Sequence, residues 1–154
     1  MREYLTARRE LLNVGYAFSL ALASKQVTLL EANFVLAMVA LDISLLPIPQ
    51  CAEAQELHWL TVQSLHVASM YQSCIVEQNH DCELVVTSYF NKIVPRRDAL
   101  LDQFYALTGL DEEALKDAWP QAPVYQALRG VLESRGVSLA PQPVVPAVPQ
   151  GEAA

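Results

Sequence analysis

The segment AEAQELHWLTVQSLHVASMYQSCIVEQ, residues 52 to 78, decides the fold class of this chain. At 100° per residue, its apolar side chains fall on two opposite faces of one long helix. The first face carries Leu57, Leu60, Ser64, Ala68, Tyr71 and Ile75. The second face carries Trp59, Val62, His66 and Met70. We expect the first face to pack on neighbouring helices and the second to contact later helices, a second subunit or a ligand.

Two helices are predicted before this segment, and both have features of close packing. Residues 3 to 24 form the first, in which small side chains recur at intervals of four and allow another helix to approach closely. These side chains are Gly15, Ser19 and Ala23. The second helix begins at Thr28, which forms a capping box with Glu31, and it ends before Pro47. Because nearly all its faces are apolar, we expect it at the centre of the bundle or of an assembly.

Four further helices are predicted after the segment, and no run of residues alternates in the manner of a strand. They span residues 81 to 94, 95 to 107, 110 to 119 and 123 to 135. Asp81 is expected to cap the first of them, and Pro95 fits the first turn of the second. The fold class is therefore all-α, a compact bundle of about six to seven helices.

The domain organisation follows from the distribution of proline. Residues 1–137 form a single helical domain, which is the number of domains expected for a chain of 154 residues. Residues 138–154 contain four prolines and lack a helical period. This composition predicts a disordered, Pro-rich C-terminal tail.

The composition favours a protein partner over nucleic acid. Hydrophobic residues make up 53% of the chain and charged residues only 18%. Either the core is large for this size, or a partner covers some apolar surface. The formal net charge of -7 argues against binding to nucleic acid, which needs lysine and arginine to neutralise phosphates.

The charges are also unevenly distributed along the chain. No lysine or arginine occurs between Gln26 and Asn91, although seven acidic residues lie in that span. Helices that are exposed on one side usually carry both signs of charge. Two interpretations remain open: core helices with few exposed positions, or an interface with another copy or a basic partner.

The sequence predicts no membrane span and a cytoplasmic location. The best candidate for a span, residues 27 to 48, contains Glu31, Asn33 and Asp42, and a central acid is costly to insert. Three cysteines, an odd number, fit a reducing compartment, where free buried thiols are expected. The alternative is export through an N-terminal signal in residues 1–23, where Arg8 and Arg9 precede an apolar stretch.

The region between residues 51 and 82 holds all three cysteines and all three histidines of the chain. These side chains are the usual ligands of zinc. The weak candidates for ligands are Cys51, His58, Cys74, His80 and Cys82. Their spacing lacks the close pairs of structural zinc sites, so no metal and no other cofactor is assigned. A Cys-His nucleophile also stays open, because such partners meet in space and not in sequence.

The functional expectation is a non-enzymatic protein-protein interaction module of the regulator, adaptor or export-chaperone type. We expect it to form a homodimer or to bind a protein partner through Trp59, Val62, His66 and Met70. If that face is core instead, His66 is a buried histidine with a hydrogen-bond partner. The alternatives are a binder of a small apolar ligand and a metal-dependent enzyme that uses segment 51–82.

Overall fold

The computed structural model describes residues 1–141, and within them it contains five α-helices and no strand. The helices are α1 (Arg2–Ala23), α2 (Leu29–Ser44), α3 (Ala52–Val76), α4 (His80–Thr108) and α5 (Pro123–Ser134). The all-α prediction is confirmed. Among these residues no helix combines the length and hydropathy that crossing a lipid bilayer requires.

The predicted count of six to seven helices is wrong because two of the predicted helices are one. Residues 81 to 94 and 95 to 107 belong to the continuous helix α4, which contains Pro95 in its interior. Pro95 and Asn91 are both exposed, so water can satisfy the carbonyl that the proline leaves unpaired. Helix α3 packs against α4 on both sides of Pro95, and this packing keeps the two halves in one helix.

The predicted helix over residues 110 to 119 is reduced to a 3-10 turn, Glu113–Leu115. The side-chain amide of Asn13 donates to the carbonyls of Leu115 and Ala118, at 3.0 and 2.8 Å. These bonds hold the carbonyls on an irregular path against α1. The predicted tail lies mostly outside the described residues, and residues 138 to 141 are not helical.

Helix α2 places only one side in the core of the subunit, whereas its apolar sequence predicted a helix enclosed at the centre of the bundle or of an assembly. Its N-terminus forms the expected capping box between Thr28 and Glu31. One side of α2 packs on α1, where Leu36 fills the space beside Gly15: a Cβ at that glycine would lie 3.0 Å from the Leu36 side chain. Helix α5 covers the same core with Tyr125 and Leu132. The opposite side of α2 is uncovered.

Helix α4 meets α1 closely at only one end. Near the start of α1, Tyr4 and Leu5 pack with Leu100 and Phe104 of α4 and with Leu57 of α3. Towards the other end of α1 the two helices diverge, and α3 forms the floor between them. This divergence opens a groove along the inner side of α3.

Candidate functional site

The first candidate site is an exposed apolar surface on α2 and α3, which we call the outer face. It presents six large side chains, whose exposed fractions range from 54% at Met70 to 81% at Leu30. These side chains are Leu30, Phe34, Leu41, Leu45, Trp59 and Met70. Single exposed apolar residues are normal on a protein surface, but a contiguous set of them marks an interaction site.

Hydrogen bonds between α2 and α3 fix which of these side chains are neighbours. Asn33 accepts a hydrogen bond from Ser69 at 2.8 Å and donates one to Ser73 at 3.0 Å. The helices run antiparallel at the same rise per residue, so Phe34 lies level with Met70, and Leu45 with Trp59. The outer face is therefore one continuous surface.

The carboxylates of α2 and α3 are largely bound within the protein. Arg135 pairs with Glu31 at 2.7 Å, and this hydrogen bond lowers the pKa of Glu31 to about 2. Arg96 pairs with Glu56, whose pKa is lowered mainly by that hydrogen bond. The hydroxyl of Tyr125 donates to Asp42; burial, followed by this bond, raises the pKa of Tyr125. Three acids of these helices are therefore already bound. Neither helix contains a lysine or an arginine.

The sequence-predicted partner-binding residues all lie on α3, but their exposure differs. Trp59 is 61% exposed and Met70 is 54% exposed, and His66 between them is also exposed. Val62 is half-buried because it packs on the core beside α2. The expectation of a buried His66 is therefore wrong. Helix α5 packs on the other side of α2 and leaves this face open.

The second candidate site is the groove between α1, α3 and α4. Its volume is about 1000 Å³, and its lining is mainly apolar. The apolar lining includes Leu22, Val67, Ala68, Tyr71, Ile75 and Val86. Concave, mostly apolar spaces of this size are typical of sites for small molecules.

Two residues with an unusual backbone conformation line one end of the groove. Lys25 and Gln78 have φ angles of 60° and 55°, and they are the only described residues other than glycine with positive φ. Each lies just after a helix, where a left-handed residue closes the last turn and glycine is preferred. This strain coincides with the groove, as strain often does with functional sites.

The other end of the groove opens into a smaller cavity of about 440 Å³ that carries arginines. The two cavities share Tyr16, Ser19, Ala68 and Phe90, so they adjoin each other. Arg8, Arg9 and Arg97 line the smaller one, and neither cavity is lined by an acidic residue. This cationic end contrasts with the net negative charge of the chain.

Sequence reasoning missed these arginines, and although it expected self-association through helices two and three, it named no residue of α2 for that interface. A signal for Arg8 exists, because it occupies the buried stripe of α1 between Tyr4 and Leu11, where an apolar residue is expected. For α2, the signal is the recurrence of large apolar residues at the spacing of one helix face, beginning with Leu30 and Phe34.

The five candidate metal ligands are not brought together. Cys51 is exposed at the start of α3, about 35 Å along the helix from Cys74. His58 is engaged with the hydroxyl of Tyr4 at 2.9 Å. Within residues 1–141 no group of three or more histidine, cysteine or acidic side chains is arranged to bind a metal.

Cys74 and Cys82 form a disulfide between α3 and α4, with Cα atoms 6.0 Å apart. The expectation of three free buried thiols is therefore wrong, and the remaining thiol, Cys51, is exposed. The turn between the two cysteines brings them together, which an odd cysteine count did not suggest.

Comparison of the chain with protein-family models, with curated proteins and with solved structures finds no match. Function is therefore inferred from the residues of this chain alone.

Proposed function

We propose that the protein is a non-enzymatic interaction module that forms a homodimer through the outer face. The observation that supports this proposal is the exposure of six large apolar side chains on two adjacent helices. At about 200 Å² per side chain and more than half exposure, they present roughly 700 to 800 Å², close to the area that each partner buries in a stable complex.

The charges around the outer face favour a second copy over a basic partner. A basic partner requires free acids at the rim, but Arg135 and Arg96 already bind Glu31 and Glu56. Glu53 lies in the first turn of α3, where the helix dipole favours a negative charge. Two copies of an uncharged apolar face meet without repulsion, and a two-fold axis lets the same patch serve both subunits.

Trp59, Phe34 and Met70 are the side chains expected to contribute most to dimerisation. Large aromatic side chains are enriched among the few residues that account for most of the binding energy of an interface. Met70 is unbranched and polarisable, so it adapts to an opposing surface. Replacement of Met70 by lysine places a cation on a surface that contains no acid to pair with it.

The test is the mass of the purified protein, measured by native mass spectrometry and by light scattering at micromolar concentration. Wild type is expected to be a dimer, and Met70→Lys is expected to weaken dimerisation by about 100-fold or more. Circular dichroism should give the same helical content for both, because Met70 is exposed in the subunit.

The matched control is Leu107→Lys, which adds a cation at an exposed apolar residue of α4, away from the outer face. This variant is expected to remain a dimer. A monomeric wild type at these concentrations, or equal disruption by Leu107→Lys, would rule out dimerisation through the outer face.

The groove supports a second candidate function, the binding of a small apolar ligand. The supporting observation is the cavity of about 1000 Å³ between α1, α3 and α4, whose floor is the inner side of α3. Ligand retained by the purified subunit and released by organic solvent would support it. The outer face and the groove lie on different sides of α3, so both functions are compatible in one protein.

A further inference from the structure

The cationic end of the groove contains a buried arginine without an acidic partner. Arg8 is 3% exposed, and its Nε donates to the hydroxyl of Thr61 at 2.9 Å. No carboxylate among the described residues forms an ion pair with it. A buried cation is normally paired, so an unpaired one at the wall of a cavity indicates a site for an anion.

Two neighbouring polar groups also lack partners. The Nε of Arg9 and the hydroxyl of Tyr105 are buried and make no hydrogen bond. Both residues, and Arg97 as well, lie near enough to Arg8 to affect its pKa. Buried polar groups are rarely left unsatisfied, and a bound anion would satisfy donors of this kind. Arg8, Arg9 and Arg97 thus line a cavity that has no acidic residue in its lining, and Arg9 and the nearby Tyr105 each keep one buried donor without an acceptor.

The outer cations of this cluster do have acidic neighbours at the surface. Arg9 contacts Glu112 at 3.5 Å, and Arg97 contacts the adjacent Asp98 at 3.1 Å. Glu112 and Asp98 are both exposed, so they compete weakly for the arginines. Arg8 is the deepest cation and remains available.

We propose that the groove binds a long-chain fatty acid, with its carboxylate at Arg8, Arg9 and Arg97 and its chain along α3 towards Ile75. This inference rests on the second candidate function, ligand binding in the groove. The distance along α3 from Thr61 to Ile75 is about 21 Å, which matches an extended long acyl chain. The two adjoining cavities supply an apolar part and a cationic part.

The depth of Arg8 favours a slim amphiphile over a peptide. Arg8 is 3% exposed and lines the smaller cavity, which adjoins the apolar part of the groove at Tyr16 and Phe90. A terminal carboxylate on a single chain fits such a site. A peptide helix, about 10 Å wide, needs more space around this buried cation than a single acyl chain does.

The test compares palmitate with methyl palmitate, which has the same chain without the charge, by titration calorimetry on the delipidated wild-type protein. Palmitate is expected to bind at least tenfold more tightly than the ester, because hydrogen bonds to a charged group are strong. In Arg8→Met the affinities for palmitate and for the ester should become about equal, and the affinity for the ester should stay as in wild type.

The control variant is Arg129→Met. Arg129 pairs with Glu133 on α5 and lies over the Trp119 ring, away from the groove. It should retain the wild-type ratio of palmitate to ester affinity. A second variant, Ala68→Trp, fills the groove floor and should abolish the binding of both lipids.

The outcomes separate the two proposals. Equal wild-type affinities for palmitate and ester would overturn the fatty-acid inference and leave ligand binding in the groove intact. Failure of both lipids to bind would overturn the inference and count against ligand binding. Retention of an acidic peptide instead of lipid in native mass spectra would also overturn it. If Arg8→Met does not fold, the wild-type ratio decides the question.

Discussion

The outer face and the groove use opposite sides of the same helix, α3, yet they differ in shape and charge. The outer face is convex, it has no lysine or arginine on its own helices, and most of its neighbouring acids are bound. The groove is concave, and its charged lining consists of Lys25 and three arginines. Both surfaces are apolar, so hydrophobicity alone does not distinguish them. The charges are the basis on which we propose a neutral partner for the outer face and an anionic ligand for the groove.

Among the substitutions that test the difference between the outer face and the groove, Arg8→Met is expected to change the stability most. An unpaired buried cation costs free energy, and burial lowers the pKa of Arg8 to about 10. Because the folded-state pKa lies below the ordinary value of 12.5, protonated Arg8 favours the unfolded state at neutral pH. The variant should raise the free energy of unfolding by about 1–3 kcal/mol, as measured by urea denaturation.

A structural role for Arg8 gives the opposite sign. Arg8→Met could instead lower the free energy of unfolding, and by a larger amount than Arg129→Met does. In that case Arg8 holds the helices together and is not an anion site. A stabilised variant that has lost its preference for palmitate would identify Arg8 as a residue retained for binding at the expense of stability.

A smaller effect is expected from relieving backbone strain at the wide end of the groove. Gln78→Gly keeps the left-handed backbone conformation but removes the side chain that makes it unfavourable. It should therefore raise the free energy of unfolding by about 0.5–1 kcal/mol. The matched control is Gln63→Gly in the interior of α3, which should lower it by about 1 kcal/mol. Equal losses in both variants would mean that Gln78 is not strained.

The smallest effect concerns the rim of the outer face and depends on pH. The folded-state pKa of Glu31 is about 2, below its ordinary value of 4.5, because Arg135 binds the carboxylate. Its contribution to stability is therefore full above pH 4.5 and is lost as the pH falls towards 2. Glu31→Gln should lower the melting temperature slightly at pH 6 and show no difference from wild type near pH 2. A difference of equal size at both pH values would exclude the ion pair as its cause.

Much of the fold could be predicted because it depends on neighbours within the sequence. The capping box at Thr28 and the apolar faces of α2 and α3 are local patterns of three to four residues, and each helix appears where its pattern predicts. Pro95 shows the limit of such rules. A proline normally ends a helix, but packing of both halves of α4 on α3 overrides that preference here.

The candidate sites were predictable in unequal measure. Trp59 and Met70 were identified because they lie opposite the core side of α3, and the structure places both at the surface. The arginine cluster was not predicted, because its members come from two different helices. Arg8 is nearly 90 residues from Arg97 and Tyr105 in the sequence, and they meet only where α1 and α4 pack. The pairing of Cys74 with Cys82 likewise depends on the turn between α3 and α4.

By itself, the sequence determined that the chain is helical, that α2 contributes to the core and that α3 carries apolar side chains on two opposite faces. These properties follow from helical periodicity and end capping, which act within one or two turns. The tertiary structure alone decided that α4 is one helix, that α5 leaves the outer face uncovered, and that α1 and α4 diverge to open a groove. Packing between distant segments controls these features, and Arg8 acquires its environment only through that packing.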